Sequence, residues 1–191
     1  MAKSPADRKH PRSLRIIAGD WRGRRLTFPD GTSVRPTPDR VRETLFNWLQ
    51  PHLHQARCLD LFAGSGILGF EALSRGARES WFVENDRRLS AALGAHAALL
   101  DARAQIVTQN AMRFLERPQT SFDIVFLDPP YALLLEPILA RLPPLLRDGA
   151  LVYVERSAAD GLPNGESIRW RRTGRAGAVC YGLAELAPLR A

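Results

Sequence analysis

Apolar positions along this chain switch period several times. Short continuous apolar runs alternate with stretches in which apolar residues recur every three or four positions. Arg57 to Phe62 (RCLDLF), Ser80 to Glu84 (SWFVE), Gln105 to Thr108 (QIVT), Phe122 to Leu127 (FDIVFL) and Ala150 to Val154 (ALVYV) read as buried strands. Between them, helices are expected over Ile67 to Arg75, Arg87 to about Leu100, Ala111 to about Glu116 and Leu133 to about Leu146. Strands alternating with helices predict an α/β fold whose sheet is parallel, with right-handed crossovers.

The flanks follow other patterns. Leu14 to Ala18 and Arg24 to Phe28 read as two strands around the turn Gly19 to Gly23, a small basic hairpin. Val41, Leu45, Trp48 and Leu49 then form a helical stripe. Thr37 is a candidate cap for this helix, Pro38 its first residue, and Asp39 a favourable first-turn acid. Arg40, Arg42 and Asn47 are expected off the stripe, with Arg35 and Thr37 in the loop before it. Two readings of this segment stay open: a helix carrying its basic loop to the rim of a ligand site, or an ordinary surface helix with solvated arginines. After Glu155 a turn-rich stretch (Asp160 to Gly165) leads to a terminal hairpin, Ile168 to Arg172 and Ala178 to Glu185.

A length of 191 residues with 45% hydrophobic content suits one compact unit. No apolar run is long enough to cross a bilayer and the N-terminus lacks the apolar core of a signal peptide, so a soluble cytoplasmic protein is expected. Cys58 and Cys180 fall in expected strands and read as reduced core residues; the four histidines show no zinc-ligand spacing, so no metal is expected. The net charge of +7 is unevenly placed: residues 1–50 hold +6 and the rest +1. A basic lobe on a near-neutral body suggests a polyanion such as nucleic acid. The plainer alternative is a basic face that only confers solubility.

Four features fall at the carboxyl ends of successive strands, where open α/β sheets bind ligands. Ala63-Gly64-Ser65-Gly66 follows the first strand, and Gly64-x-Gly66-x-x-Gly69 fits the dinucleotide spacing, which alone is weak. Glu84 ends the second strand, where an acid can accept hydrogen bonds from ribose hydroxyls. Asn110 and Ala111 end the third; the amide suits an adenine edge or, more plainly, a helix cap. Asp128-Pro129-Pro130-Tyr131 ends the fourth. Two prolines stiffen this turn and remove two N–H donors. Asp128 and the Pro129 carbonyl can accept from an exocyclic amine and aim its lone pair at an electrophile, while Tyr131 can stack on the base.

CLDLFAGSG, FVEND and FLDPPY together resemble a Rossmann-like class I S-adenosylmethionine-dependent methyltransferase of the amino-group type. RIIAGDWRGRRL and RPTPDRVRETLFNWL narrow the resemblance to the RsmD family, bacterial 16S rRNA (guanine-N2)-methyltransferases, over about Leu14 to Leu186. The resemblance implies a seven-stranded, mostly parallel sheet whose last strand is antiparallel. It implies S-adenosylmethionine against Asp60, Phe62, Ala63, Gly64, Ser65, Gly66, Glu84, Asn110, Ala111 and Asp128, with the target amine at Asp128, Pro129, Pro130 and Tyr131. The implied target is the guanine at position 966, within an assembled or assembling small subunit. Residues 1–13 are then expected to be a disordered tail, 14–50 an RNA-binding extension, and 51–191 the catalytic domain. Arg22, Arg24, Arg25, Arg35, Thr37, Arg40 and Arg42 are the candidate RNA contacts, with Arg35 or Thr37 alternatively at the methionine carboxylate. A monomer and no membrane association are expected. Three other readings are an amino-methyltransferase acting on adenine or cytosine, a nicotinamide-dependent oxidoreductase using the same glycine turn, and a non-catalytic RNA-binding protein.

Overall fold

A computed structural model of the chain describes residues 12–30, 37–117, 120–130 and 132–187. Strands β1 (Arg12–Arg15) and β2 (Arg25–Phe28) pair antiparallel as the basic hairpin. Helix α1 (Asp39–Leu53) leads into the alternating units: β3 (Arg57–Asp60), α2 (Ile67–Ser74), β4 (Glu79–Glu84), α3 (Arg87–Leu99), β5 (Ala104–Thr108), α4 (Ala111–Leu115) and β6 (Phe122–Leu127). The short α5 (Glu136–Leu139) and a 3-10 turn (Pro143–Leu145) precede β7 (Leu146–Ser157), and β8 (Ile168–Ala176) and β9 (Val179–Leu186) close the chain.

The large sheet has seven strands in the order β5-β4-β3-β6-β7-β9-β8. Pairs from β5 through β7 are parallel, and β9 runs antiparallel to both its neighbours, β7 and β8. This is the doubly wound arrangement with a reversed last strand. Its strand order changes direction between β3 and β6, and such a switch leaves a crevice beyond their carboxyl ends.

The apolar runs are buried on both faces, as central parallel strands are. β6 shows how period-two alternation divides them: Ile124 and Phe126 join one core, Val125 and Leu127 the other. The first core packs under α1, α2 and the hairpin, through residues such as Val41, Leu45, Phe70 and Leu26. The second packs under α4 and α5, through Phe114, Leu115 and Ile138.

Four expectations need correction. Arg12 and Ser13, expected in a disordered tail, belong to β1 and pair with Phe28 and Thr27, while residues 1–11 lie outside the described residues. The long helix expected over Leu133 to Leu146 is only α5 and one 3-10 turn. Pro137, Pro143 and Pro144 supply no N–H, which interrupts a continuous ladder. Thr37 does not cap α1: the cap position is Pro38, and the Thr37 side chain is buried instead. Arg42 lies on the buried stripe of α1, fully enclosed, and not beside Arg40 on the outer face.

Candidate functional site

The site begins where β3 ends. Asp60 is buried, and its carboxylate accepts the Gly69 N–H of α2 at 3.2 Å, tying strand to helix across the glycine turn. Gly66 holds φ +76°, a conformation that favours glycine. A Cβ there would also meet the Leu93 side chain at 2.3 Å. Gly69 lets α2 lie close to β4, since a Cβ would come within 2.3 Å of the Phe82 ring.

Glu84, at the end of β4, shapes the same turn. One carboxylate oxygen accepts the Gly64 N–H and the other the Asp86 N–H, each at 2.8 Å. The Gly66 N–H donates to the Ala63 carbonyl at 2.7 Å and the Ile67 N–H to Ser65 Oγ at 3.4 Å. The turn therefore spends these donors internally. Burial pushes the Asp60 carboxyl up to about 7; the Gly69 N–H opposes that rise and the nearby Glu84 charge adds to it.

A cavity of about 760 Å³ opens above these strand ends. Asp60, Phe62, Ala63, Gly64, Ser65 and Glu84 line one side, Asn110 and Ala111 another, and Asp128, Pro129 and Pro130 a third. Gly66 stands behind the wall and shapes it without lining it. Asn110 caps α4, accepting the Met112 and Arg113 N–H groups at 2.9 and 3.4 Å, so its amide oxygen is already engaged. The Pro130 carbonyl accepts the Leu133 N–H at 2.8 Å. Asp128 and Pro129 line the cavity at this turn. Tyr131 and Arg35 lie outside the described residues.

Among the lining residues that the sequence reading did not single out are two acids, Asp86 and Glu155, while Thr37, expected at the rim, also lines the cavity. Glu155 had a readable signal. It ends the apolar strand ALVYVE as Glu84 ends SWFVE. The lining carries five acids (Asp60, Glu84, Asp86, Asp128, Glu155) and, among the described residues, no lysine or arginine. Such a wall favours a cationic ligand over an anionic one. A pyrophosphate would face these carboxylates while the Gly64, Gly66 and Ile67 N–H groups are already committed.

The basic residues separate into two groups. Arg22, Arg24, Arg25 and Arg40 are exposed. Arg42 donates to the Arg15 carbonyl at 3.0 Å and to Asp39 at 2.6 Å, and pairs with Glu71 at 3.6 Å. Glu71, also fully buried, accepts the N–H groups of Ile17 and Ala18 at 2.8 and 3.0 Å and pairs with Arg75 at 2.8 Å. Arg42 thus fastens the hairpin to α2, and the RNA contact expected of it gives way to this buried role.

Comparison with known proteins supplies the remaining findings. The family model described as "Conserved hypothetical protein 95" matches residues 14–185. Ribosomal RNA small subunit methyltransferase D of Escherichia coli strain K12 is 49% identical over 176 residues, covering 89% of this chain and 88% of that protein. The protein of the same name from Haemophilus influenzae is 43% identical over 178 residues, with coverage of 89% and 92%. The solved structure of yhhF from Escherichia coli superposes with a TM-score of 0.84 at 46% identity, covering 91% of this chain and 98% of that one.

Proposed function

The chain belongs to the family described as "Conserved hypothetical protein 95", with the small-subunit rRNA methyltransferases D as relatives, and from that premise we propose that it methylates the exocyclic N2 of one guanine, position 966, of 16S rRNA. Methylation of ribosomal RNA with S-adenosylmethionine as donor is the activity of this family. The base, the position and the roles of single residues are the proposal.

One observation carries the choice of cofactor: an acid-lined cavity over a glycine turn in which the Gly64, Gly66 and Ile67 N–H groups are used internally. S-adenosylmethionine is cationic at its sulfonium and amine, nucleoside-sized, and free of phosphate, so these residues fit it. When bound it supplies an activated methyl group, and the chemistry needs no metal. Glu84 keeps lone pairs for ribose hydroxyls after accepting two backbone N–H groups. The amide nitrogen of Asn110 and the Ala111 end of α4 face the adenine side. A nicotinamide dinucleotide would bring its pyrophosphate to the same carboxylates, which disfavours the oxidoreductase reading.

At the other end of the cavity, Asp128 and the Pro129 carbonyl hold the target amine. Accepting both amine hydrogens turns the nitrogen lone pair out of conjugation with the ring and toward the methyl donor. The nitrogen gains the methyl and sheds a proton, and Asp128 is the carboxylate placed to take it. Tyr131 stacks on a base drawn out of the RNA. Exposed Arg22, Arg24, Arg25 and Arg40 hold the phosphate backbone. In this proposal the protein acts as a monomer on an assembled or assembling small subunit, in the cytoplasm.

Methyl-labelled S-adenosylmethionine tests this with two substrates, small subunits lacking the modification and naked 16S rRNA. N2-methylguanosine at one site, formed faster on subunits, is the expected outcome. Label on adenine or cytosine would move the target base, and no label with cofactor bound would move the substrate. Replacing Asp128 by Ala is expected to abolish turnover while leaving cofactor affinity within about threefold, because the amine contact acts on the reacting group. Retained turnover would remove Asp128 from the reaction.

A further inference from the structure

Asp128 has an acidic neighbour for which neither the cofactor nor the methyl-transfer step has a use. β6 and β7 are parallel, with Leu127 opposite Val154. The next residue along each is an acid, Asp128 just past the end of β6 and Glu155 in β7, next to each other where the parallel pairing ends. Both line the cavity together with Pro129 and Pro130. Glu155 is 4% exposed, far below what a carboxylate adopts without a use for its charge. The Tyr153 hydroxyl donates to one of its oxygens at 2.8 Å, which fixes the direction of the carboxylate. Thr37 Oγ1 is buried in the same wall without a partner in hydrogen-bonding geometry, yet lies near enough to favour the ionised form of Glu155. Burial acts in the opposite sense and more strongly, raising this carboxyl. An ionised carboxylate has about four acceptor sites, so Tyr153 leaves capacity for further donors.

The chemistry of the three amino-bearing bases separates at this point. Guanine carries its N1–H beside the N2 amine, so two adjacent donors face outward. Adenine and cytosine place a ring-nitrogen acceptor beside the amine. A second carboxylate next to the amine acceptor is satisfied by guanine alone; against the other bases it faces a lone pair in a dry site, where an unmade hydrogen bond is costly.

We propose that Glu155 is the specificity-determining residue of this site, accepting the N1–H of the target guanine while Asp128 holds its N2 amine. The proposal rests on the guanine-N2 reading above and deepens it. Glu155 touches the substrate base and not the cofactor. Its loss therefore acts on the choice of base, and the choice is measurable apart from turnover.

The test uses small subunits reconstituted with either guanine or 2-aminopurine at the target position, assayed with methyl-labelled S-adenosylmethionine. 2-Aminopurine keeps the amine that Asp128 needs, but its N1 is an acceptor. The wild type is expected to prefer guanine in kcat/KM by at least about a hundredfold, as sites built to bind an N–H reject analogues lacking it. Glu155→Gln presents an amide NH2 that can donate to the 2-aminopurine N1 and still serve Tyr153. Its preference is expected to shrink to within about tenfold, chiefly by gaining activity on 2-aminopurine. Because 2-aminopurine also lacks O6, that gain isolates the N1 contact. Glu155→Asp keeps the charge and is expected to keep the preference with a raised KM. If Glu155→Gln lowered both substrates equally, Glu155 would be structural and the proposal overturned, with guanine methylation by the wild type intact. If the wild type left guanine unmethylated, the guanine reading itself would fall, and this proposal with it.

Discussion

Asp60 is the buried acid on which the glycine turn closes, and its titration is expected to show in the pH dependence of stability. Its carboxyl rises from 3.8 to about 7, first because burial disfavours the charged form. The folded state therefore holds the proton more tightly than the unfolded chain. Between those two values folding takes up a proton, so this group's contribution is greatest below the window. It is lost as pH rises through the window and levels off above it. Asn in place of Asp60 keeps an acceptor for the Gly69 N–H and removes the titration. Urea unfolding at about pH 5 and about pH 8 is expected to show the wild type losing more stability with pH than Asp60→Asn does. Equal slopes would place the effect elsewhere. Gly66 makes a second residue-scale prediction. Gly66→Ala meets both a left-handed backbone and the Leu93 side chain, and is expected to cost about 3 kcal/mol in the same measurement.

At the scale of elements, legibility followed the kind of signal. β3, β4 and β6 were readable because strands buried on both faces leave continuous apolar runs. The hairpins were readable because glycine and charged turns break those runs. The segment after the Pro-Pro turn misled, since the apolar spacing of Leu133 to Leu146 is helical while its prolines shorten the helix to α5. On α1, charge suggested that Arg42 faces out. What overrides that is Glu71, an acid buried in the middle of a different element, α2. Glu71→Ala would leave the Arg42 guanidinium enclosed and the Ile17 and Ala18 N–H groups without their acceptor. A loss of about 3–5 kcal/mol is expected from urea titration, the range for breaking one side of a buried pair. A loss below about 1 kcal/mol, the surface-pair range, would show that the hairpin is held by its apolar packing alone.

For the whole molecule, the point is where the basic hairpin stands relative to the cavity. It rests on α2, the helix that starts at the glycine turn, through Glu71 and through Ser74, whose Oγ donates to the Ala18 carbonyl at 2.6 Å. His96 of α3 reaches the Thr27 carbonyl at 2.8 Å from the other side. The exposed arginines of the hairpin are thereby held in one frame with the cavity, so on the proposed function docking of RNA and placement of the base would be one event. Changing Arg22, Arg24 and Arg25 together to Ala is expected to weaken subunit binding and to reduce the slope of log affinity against log salt by about two to three, near 0.9 for each phosphate no longer neutralised. An unchanged slope would move the RNA surface to the exposed arginines of β8, Arg169, Arg171 and Arg172.

By itself the sequence determined what is local. Apolar periods set the order of strands and helices, glycines marked the turn after β3, and Asp128-Pro129-Pro130 marked a proline-stiffened turn at the end of β6, because each of these depends on residues adjacent in the chain. Tertiary structure alone decided which of two similar charges is inside. Arg42 and Arg40 are two positions apart on one helix, yet one is enclosed by α2 and the other meets water. It also decided that Glu155 stands beside Asp128, since strand register, set by the packing of whole sheet faces, aligns residues that the chain keeps far apart.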